Sequence, residues 1–221
     1  MSHTLILGNK NYSSWSMRAW LLLEFLEIPY SEERIDLYTS DSRKRVMALG
    51  GETGLVPVLK VDDFAIWDTL AIIEYLHEDF PKIWPIERNL RARARSICGE
   101  VSSGLTHLRN AMPVNTRGRF KLTHLSAEVE ADISRVVQIW EARLLEHEGP
   151  WLFGEFCAAD IIFAPVATRF RTYGVELSGA AKAYQEQILS HPLVLKWLAL
   201  GKDEKTFIPL FEEQLAPYKI N

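Results

Sequence analysis

At 221 residues, 48% hydrophobic and with a mean hydropathy of −0.06, the chain has room for one or two domains with sizeable cores; it has the balance of a soluble globular protein, not of a fibre or a tail. A formal net charge of −4 and a pI near 5.9 argue against a nucleic-acid binder that works by neutralising phosphates. Cys98 and Cys157 stand far apart and the six histidines are scattered, so neither a disulfide framework nor a metal site is expected. No basic stretch followed by an apolar core opens the sequence and no run of about 18 apolar residues occurs. We therefore expect no signal peptide and no membrane span, and a reducing cytoplasm as the setting.

In chain order, the short apolar run HTLILG at residues 3–8 predicts a buried first strand, and the polar, turn-rich NKNYSSW after it predicts a loop. From Ser16 onward Met17, Trp20, Leu21, Leu23, Leu26 and Ile28 recur at helical spacing, which predicts a helix capped by Ser14 or Ser16. Residues 32–37 read as a second strand and 42–49 as a short helix led by a serine cap.

Residues 54–79, GLVPVLKVDDFAIWDTLAIIEYLHED, carry the densest signal. Val56 to Val61 alternates and is rich in β-branched residues, Asp62-Asp63 is a tight-turn pair and Phe64 to Trp67 is a second short apolar run, so a β-hairpin is expected. Asp68 and Thr69 are both N-cap types, and Leu70, Ile72, Ile73 and Leu76 follow at helical spacing. Pro57 belongs at a strand's first residue, and an X-Pro bond is the one peptide bond that reaches cis for only about 0.5 to 1 kcal/mol. A cis Val56-Pro57 bond would turn the Val56 N–H and C=O outward at a cleft edge, ready to pair with an extended peptide. The N-terminus of the next helix would offer free N–H groups and a positive dipole end to a carboxylate. Read on spacing alone, an ordinary hairpin and capped helix account for the same residues.

PKIWPIER at 81–88 reads as a stiff, partly buried linker, and all that follows is helical in pattern. Helices are expected over 90–108, 127–147 (stopped by Gly149-Pro150), 158–173, 180–189 and 192–200, with the apolar 158–173 as the central buried helix and an aromatic tail at the end. Arg88, Arg91, Arg93 and Arg95 spread around the first of these and read as a solvated or dimer-facing surface.

VPVLKVDDFAIWDTLAIIEYL resembles the glutathione-binding half of the cytosolic glutathione S-transferases, and is closest to serine-type, zeta-class-like bacterial members. What the resemblance implies is an α/β thioredoxin-like N-terminal domain over 1–80 and an all-α C-terminal helical bundle over 89–221, joined by the linker. It assigns Val56, before a cis Pro57, to the cysteinyl backbone of glutathione, and Asp68 with Thr69 to the γ-glutamyl end; threonine replaces the family's usual serine and keeps the hydroxyl. WLFGEFCAADIIFAPVATRF at 151–170 is similar to the family's helical-domain signature, which makes Asp160 half of a capping box, with Cys157 a poorer cap than serine or threonine.

A thiol of pKa about 8.5 is only a few per cent ionised at pH 7, and lowering it by about two units takes roughly 2.7 kcal/mol. A hydroxyl donating to sulfur beside a helix N-terminus supplies that kind of stabilisation. SSWSMRAWLLL aligns with the zeta pattern Ser-Ser-Cys-x-x-Arg, which makes Ser13 the thiolate-stabilising residue and Ser14 the reserve; Tyr12 is the tyrosine-type alternative, and helix capping is the plain structural alternative for the serines. Trp15 stands where the zeta class has cysteine, which weighs against isomerase and redox chemistry, and is expected to wall the pocket. Arg18 is expected at the ligand or the domain interface. For the electrophile, THLRNAMPVN offers His107, Arg109, Met112, Pro113 and Asn115, with the proline breaking the long helix; Arg169 and Arg171 take no role by alignment, since Thr172 holds the zeta arginine position.

These readings imply a homodimeric glutathione S-transferase that attacks a small hydrophobic electrophile, with glutathione as co-substrate and no metal, nucleic-acid or membrane partner. Two alternatives stay open: a glutathione-dependent isomerase or dehalogenase of small keto or halo acids, and a non-catalytic binding or regulatory protein of the same fold.

Overall fold

A computed structural model describes residues 1–147 and 149–220. Four short strands, β1 (His3–Leu7), β2 (Ser31–Arg34), β3 (Val58–Val61) and β4 (Phe64–Trp67), form one sheet in the order β2-β1-β3-β4. β1 and β2 run parallel, and β3 is antiparallel to β1 and β4. A parallel pair needs a crossover, which α1 (Ser14–Leu26) provides; α2 (Ser42–Ala48) leads into the hairpin and α3 (Thr69–His77) leaves it. Because strand side chains alternate, Leu5 and Leu7 join Met17, Leu21, Ile72 and Ile73 on one face, whereas Ile6 and Val58 meet Ile35 and Val46 on the other. The N-terminal domain is thus thioredoxin-like.

After a 3-10 turn at Pro81–Ile83 every regular element among the described residues is helical: α4 (Arg88–Ser103), α5 (Thr106–Ala111), α6 (Ala127–His147), α7 (Ala158–Thr172), α8 (Gly179–Ser190), α9 (Pro192–Asp203) and α10 (Pro209–Leu215), with a last 3-10 turn at Ala216–Tyr218. Trp84 fixes the linker: it is buried, and its indole N–H donates to Glu74 Oε1 at 2.9 Å. α7 is the axis of the bundle, with Ala158 through Phe170 buried, and it packs on α1, α4 and α8. Asp160 holds its start: Oδ2 accepts from the Cys157 N–H at 3.0 Å, while Oδ1 accepts from the Leu152 N–H at 3.2 Å and the Tyr184 hydroxyl at 2.7 Å. The role is structural, and the backbone half of the box is intact.

Four local expectations are corrected. The single helix over 90–108 is two, broken at Gly104 and Leu105, where Leu105 turns left-handed at φ 54°; Pro113 lies beyond the end of α5 and breaks nothing. The cap of α1 is Ser13 itself, not Ser14 or Ser16, because its side chain accepts from the Ser16 N–H. α2 is led by Asp41 rather than a serine, without a side-chain cap bond. The tail contains α10, with Pro209 in its first turn, where its missing N–H is harmless.

Candidate functional site

The cis peptide bond at Val56-Pro57 sits on the rim of a cleft of about 240 Å³. β3 begins only at Val58, and among the described residues no hydrogen bond within the chain engages the Val56 N–H or C=O. Pro57, Trp67, Asp68 and Thr69 continue the wall from the N-terminal domain, Trp15 enters from the start of α1, and Ser102 reaches in from α4 of the helical domain. Thr53 and Leu55, in the loop ahead of Val56, complete it.

Asp68 adopts φ 71° and ψ 134°, a conformation a non-glycine residue rarely takes, and its Oδ1 accepts from the Leu70 and Ala71 N–H groups at 2.8 and 3.3 Å. That geometry caps α3 and leaves a carboxylate at the cleft. Thr69 is buried, and its Oγ1 has no partner; the same is true of Ser102 Oγ. An orphaned buried hydroxyl is unusual in a native chain, and two of them belong to residues that line this cleft. The site therefore presents free main-chain donors and acceptors at Val56, a positive helix end at α3, one carboxylate and two unused hydroxyls. Such a set can pair with a ligand that carries both charges and an extended main chain.

Of the other residues singled out from sequence, Ser13 and Ser14 lie directly ahead of Trp15, buried behind the cleft rather than on its wall. Ser13 Oγ donates to Ser16 Oγ at 2.8 Å and accepts from the Ser16 N–H at 3.2 Å, while Ser16 Oγ accepts from the Gly8 N–H at 2.9 Å. Ser14 Oγ accepts from Arg169 Nη2 at 3.3 Å. Tyr12 is turned away: its hydroxyl donates to Glu212 Oε1 at 2.6 Å and accepts from Arg117 Nη2 at 2.7 Å. Burial, and then that bond to Glu212, raises its phenol above the ordinary value and keeps it protonated.

Among the electrophile-side residues only Trp15 lines the cleft. His107 is exposed on α5. Met112 is buried with Phe120, Val129 and Tyr173 beside a separate cavity of about 460 Å³. Asn115 is consumed by a polar network, its Oδ1 accepting from the Gly118 N–H at 2.9 Å and from Asn11 Nδ2 at 3.3 Å, and its Nδ2 donating to Glu212 at 3.2 Å.

Sequence reading missed Ser102; it placed Arg18 at the ligand or the domain interface and Arg109 near the electrophile, without bringing the two together with Arg169. Arg18 is buried in α1, donating to the Ile162 C=O at 2.9 Å with its guanidinium 4.5 Å from the Trp15 ring. Arg109 lies 5.7 Å from the same ring, and Arg169 donates from Nε to the Met112 C=O at 2.7 Å. Among the described residues none of the three has a carboxylate within ion-pair distance. Burial and then mutual repulsion push Arg18 well below its ordinary pKa; burial lowers Arg109 as well and brings Arg169 down to about 10. At about 10, Arg169 keeps its charge at neutral pH, so the ground behind Ser14 is electropositive and favours an anion in front. No spacing rule brings together residues 18, 109 and 169; only the packing of α1, α5 and α7 does.

Comparison with known proteins agrees with this geometry. Residues 12–79 match the family model described as "Glutathione S-transferase, N-terminal domain". A probable maleylacetoacetate isomerase of Caenorhabditis elegans is 25% identical over 169 residues, which cover 75% of this chain and 78% of that protein. A Burkholderia glutathione transferase homolog solved with bound glutathione superposes with a TM-score of 0.71 at 22% identity, over 93% of this chain and all of that one (100%). Maleyl pyruvate isomerase, a bacterial zeta-class protein, does so with a TM-score of 0.70 at 20% identity, over 92% and 100%. Residues 12–79 thus match a glutathione S-transferase N-terminal domain, and the chain as a whole has the fold of the glutathione transferases.

Proposed function

We propose that the chain is a glutathione S-transferase that holds glutathione along the Val56 main chain and joins its sulfur to a small hydrophobic electrophile. The carrying observation is the pairing of an unengaged Val56 backbone with the orphaned Thr69 hydroxyl at the N-terminus of α3. In this reading Asp68 takes the ammonium of the γ-glutamyl end and Thr69 its carboxylate, while Ser14, which only accepts from Arg169, or Ser13, once turned from Ser16, donates to the thiolate beside Trp15. The thiol proton leaves to solvent, the thiolate forms the S–C bond, and the electrophile's leaving group departs with its electron pair. Trp15 shields the reacting pair from water.

The test is conjugation of an aryl halide by wild type, Ser13→Ala and Ser14→Ala. Loss of the donor that faces sulfur lowers turnover by about 10²-fold, in line with removal of one preorganised donor to a developing or resident anion. If both single variants turn over like wild type, the serine assignment is wrong.

A second reading is favoured by the names of the relatives and by the unpaired arginines behind Trp15: a glutathione-dependent isomerase of small unsaturated keto acids. There the thiolate adds to a carbon–carbon double bond, the adduct rotates, and elimination returns the thiolate, so glutathione is not consumed. Turnover of such acids at constant glutathione selects this reading over the first. The proposal also includes a homodimer working in the cytoplasm; sedimentation at the mass of one chain would remove the dimer.

A further inference from the structure

α4 carries three serines and treats one of them differently. Ser96 and Ser103 turn their hydroxyls back onto the carbonyls of Ala92 and Gly99, each at 2.9 Å. That back-bond is the ordinary resting place of a serine within a helix. Ser102, one residue earlier than Ser103, leaves its Oγ buried without any partner on the wall of the cleft. Its position is fixed from behind, because Arg109 Nη1 donates to the Val101 and Ser102 carbonyls at 3.2 Å each while its guanidinium lies over Trp15. A buried hydroxyl left unsatisfied is costly, and a ligand that pairs with it removes that cost.

Ser102 belongs to the helical domain and Thr69 to the thioredoxin-like one, and both residues line the same cleft with hydroxyls that have no partner within the chain. Asp68 stands beside Thr69, and a carboxylate there attracts the ammonium of an amino-acid head group and repels its carboxylate. The carboxylate is left to the hydroxyls. We propose that Ser102 is a binding residue for the α-carboxylate of the ligand's γ-glutamyl end, donating to it from the helical domain while Thr69 and the N-terminus of α3 hold it from the other side. This rests on the cleft being the glutathione site. The two domains then share one charged group, and Ser102 makes the site selective for a peptide with a free α-carboxylate.

The experiment is calorimetric titration of wild type, Ser102→Ala and Ser102→Thr with glutathione and with 4-aminobutyryl-cysteinylglycine, which lacks only the α-carboxylate. Ser102→Ala binds glutathione about tenfold more weakly and binds the analogue within about twofold of wild type, as loss of one hydrogen bond to a charged group requires. Ser102→Thr, which keeps the hydroxyl, recovers most of the loss. Wild-type affinity for glutathione in Ser102→Ala overturns the assignment, as does an equal loss for both ligands, since that would make Ser102 a shaper of the cleft and not a partner of the carboxylate. No binding of either ligand by wild type at millimolar concentration would instead overturn the reading of the cleft itself, and the Ser102 assignment with it.

Discussion

At the scale of single residues, the same side-chain type does different work depending on what surrounds it. Ser13, Ser14 and Ser16 are three serines within four positions, yet Ser13 and Ser16 are tied to each other and to Gly8, and Ser14 is tied to a buried arginine. The sequence made the cluster visible but not this division, because the partners lie one helical turn away, back at the end of β1 or on α7. Ser102 was invisible for the same reason: its distinction from Ser96 and Ser103 is a missing bond, which no pattern of letters records. Asp160 was legible, since a capping box is a local motif, but its ionisation is set by the bundle. Burial raises its carboxyl to about 6 in the fold, against about 3.9 in an unfolded chain. The folded state binds that proton more tightly. The group's contribution to stability is therefore complete below pH ~4 and is lost as the pH rises through 6. Urea unfolding of wild type and Asp160→Asn from pH 4.5 to 7.5 checks this: the stability of wild type relative to the variant should fall by on the order of 2 kcal/mol across that range. A pH-independent difference would contradict it.

At the scale of elements, the strands, the hairpin and most helices could be read because period and punctuation are local properties. The hairpin reading rested on β-branched alternation around Asp62-Asp63, and β3 pairs with β4 across those residues. What failed were junctions. The stop between α4 and α5 comes from Gly104 with a left-handed Leu105, whose side chain is buried and whose carbonyl accepts from the Arg109 N–H at 3.0 Å. The end of α1 is similar: Glu27 turns left-handed at φ 57°, with its N–H bonded to the Glu24 and Leu23 carbonyls, where glycine is the usual residue. Glu27 is exposed and caps by backbone alone, so Glu27→Gly should stabilise the protein by about 1 kcal/mol by relieving the left-handed penalty. A shift of the urea midpoint upward at unchanged slope is the expected signature; a downward shift would mean that the glutamate side chain contributes more than its backbone geometry takes away.

At the scale of the whole molecule, the loop that carries the serines is held from far along the chain. Glu204 is nearly buried and accepts from the Asn11 N–H at 2.9 Å, from Arg34 Nη1 at 3.1 Å and from Asn9 Nδ2 at 3.2 Å. Asn11 Oδ1 accepts from the Thr116 N–H and hydroxyl at 2.8 and 2.7 Å. Tyr12 joins Arg117 and Glu212, and its ring stacks 5.8 Å from Phe211 of α10. These ties span the two domains, which is why sequence reading could assign Tyr12 only as an alternative donor to sulfur and left the tail without a purpose. With Tyr12 committed to Glu212, removing its hydroxyl should act through the loop and not through the thiol. Tyr12→Phe leaves Arg117 and Glu212 facing each other at 3.9 Å and should destabilise the fold by about 1–2 kcal/mol, the worth of a hydrogen bond to charged groups. Deleting residues 209–221 removes Phe211 and Glu212 together, so the truncated protein should lose more stability than Tyr12→Phe, and adding Tyr12→Phe to the truncation should then lose less than it does in the full chain. Turnover would fall in both variants in proportion to how far the loop is released, with the pH profile of the reaction unmoved. A Tyr12→Phe protein of wild-type stability whose pH profile shifted to higher pH would reverse this assignment and make Tyr12 the donor to the thiolate.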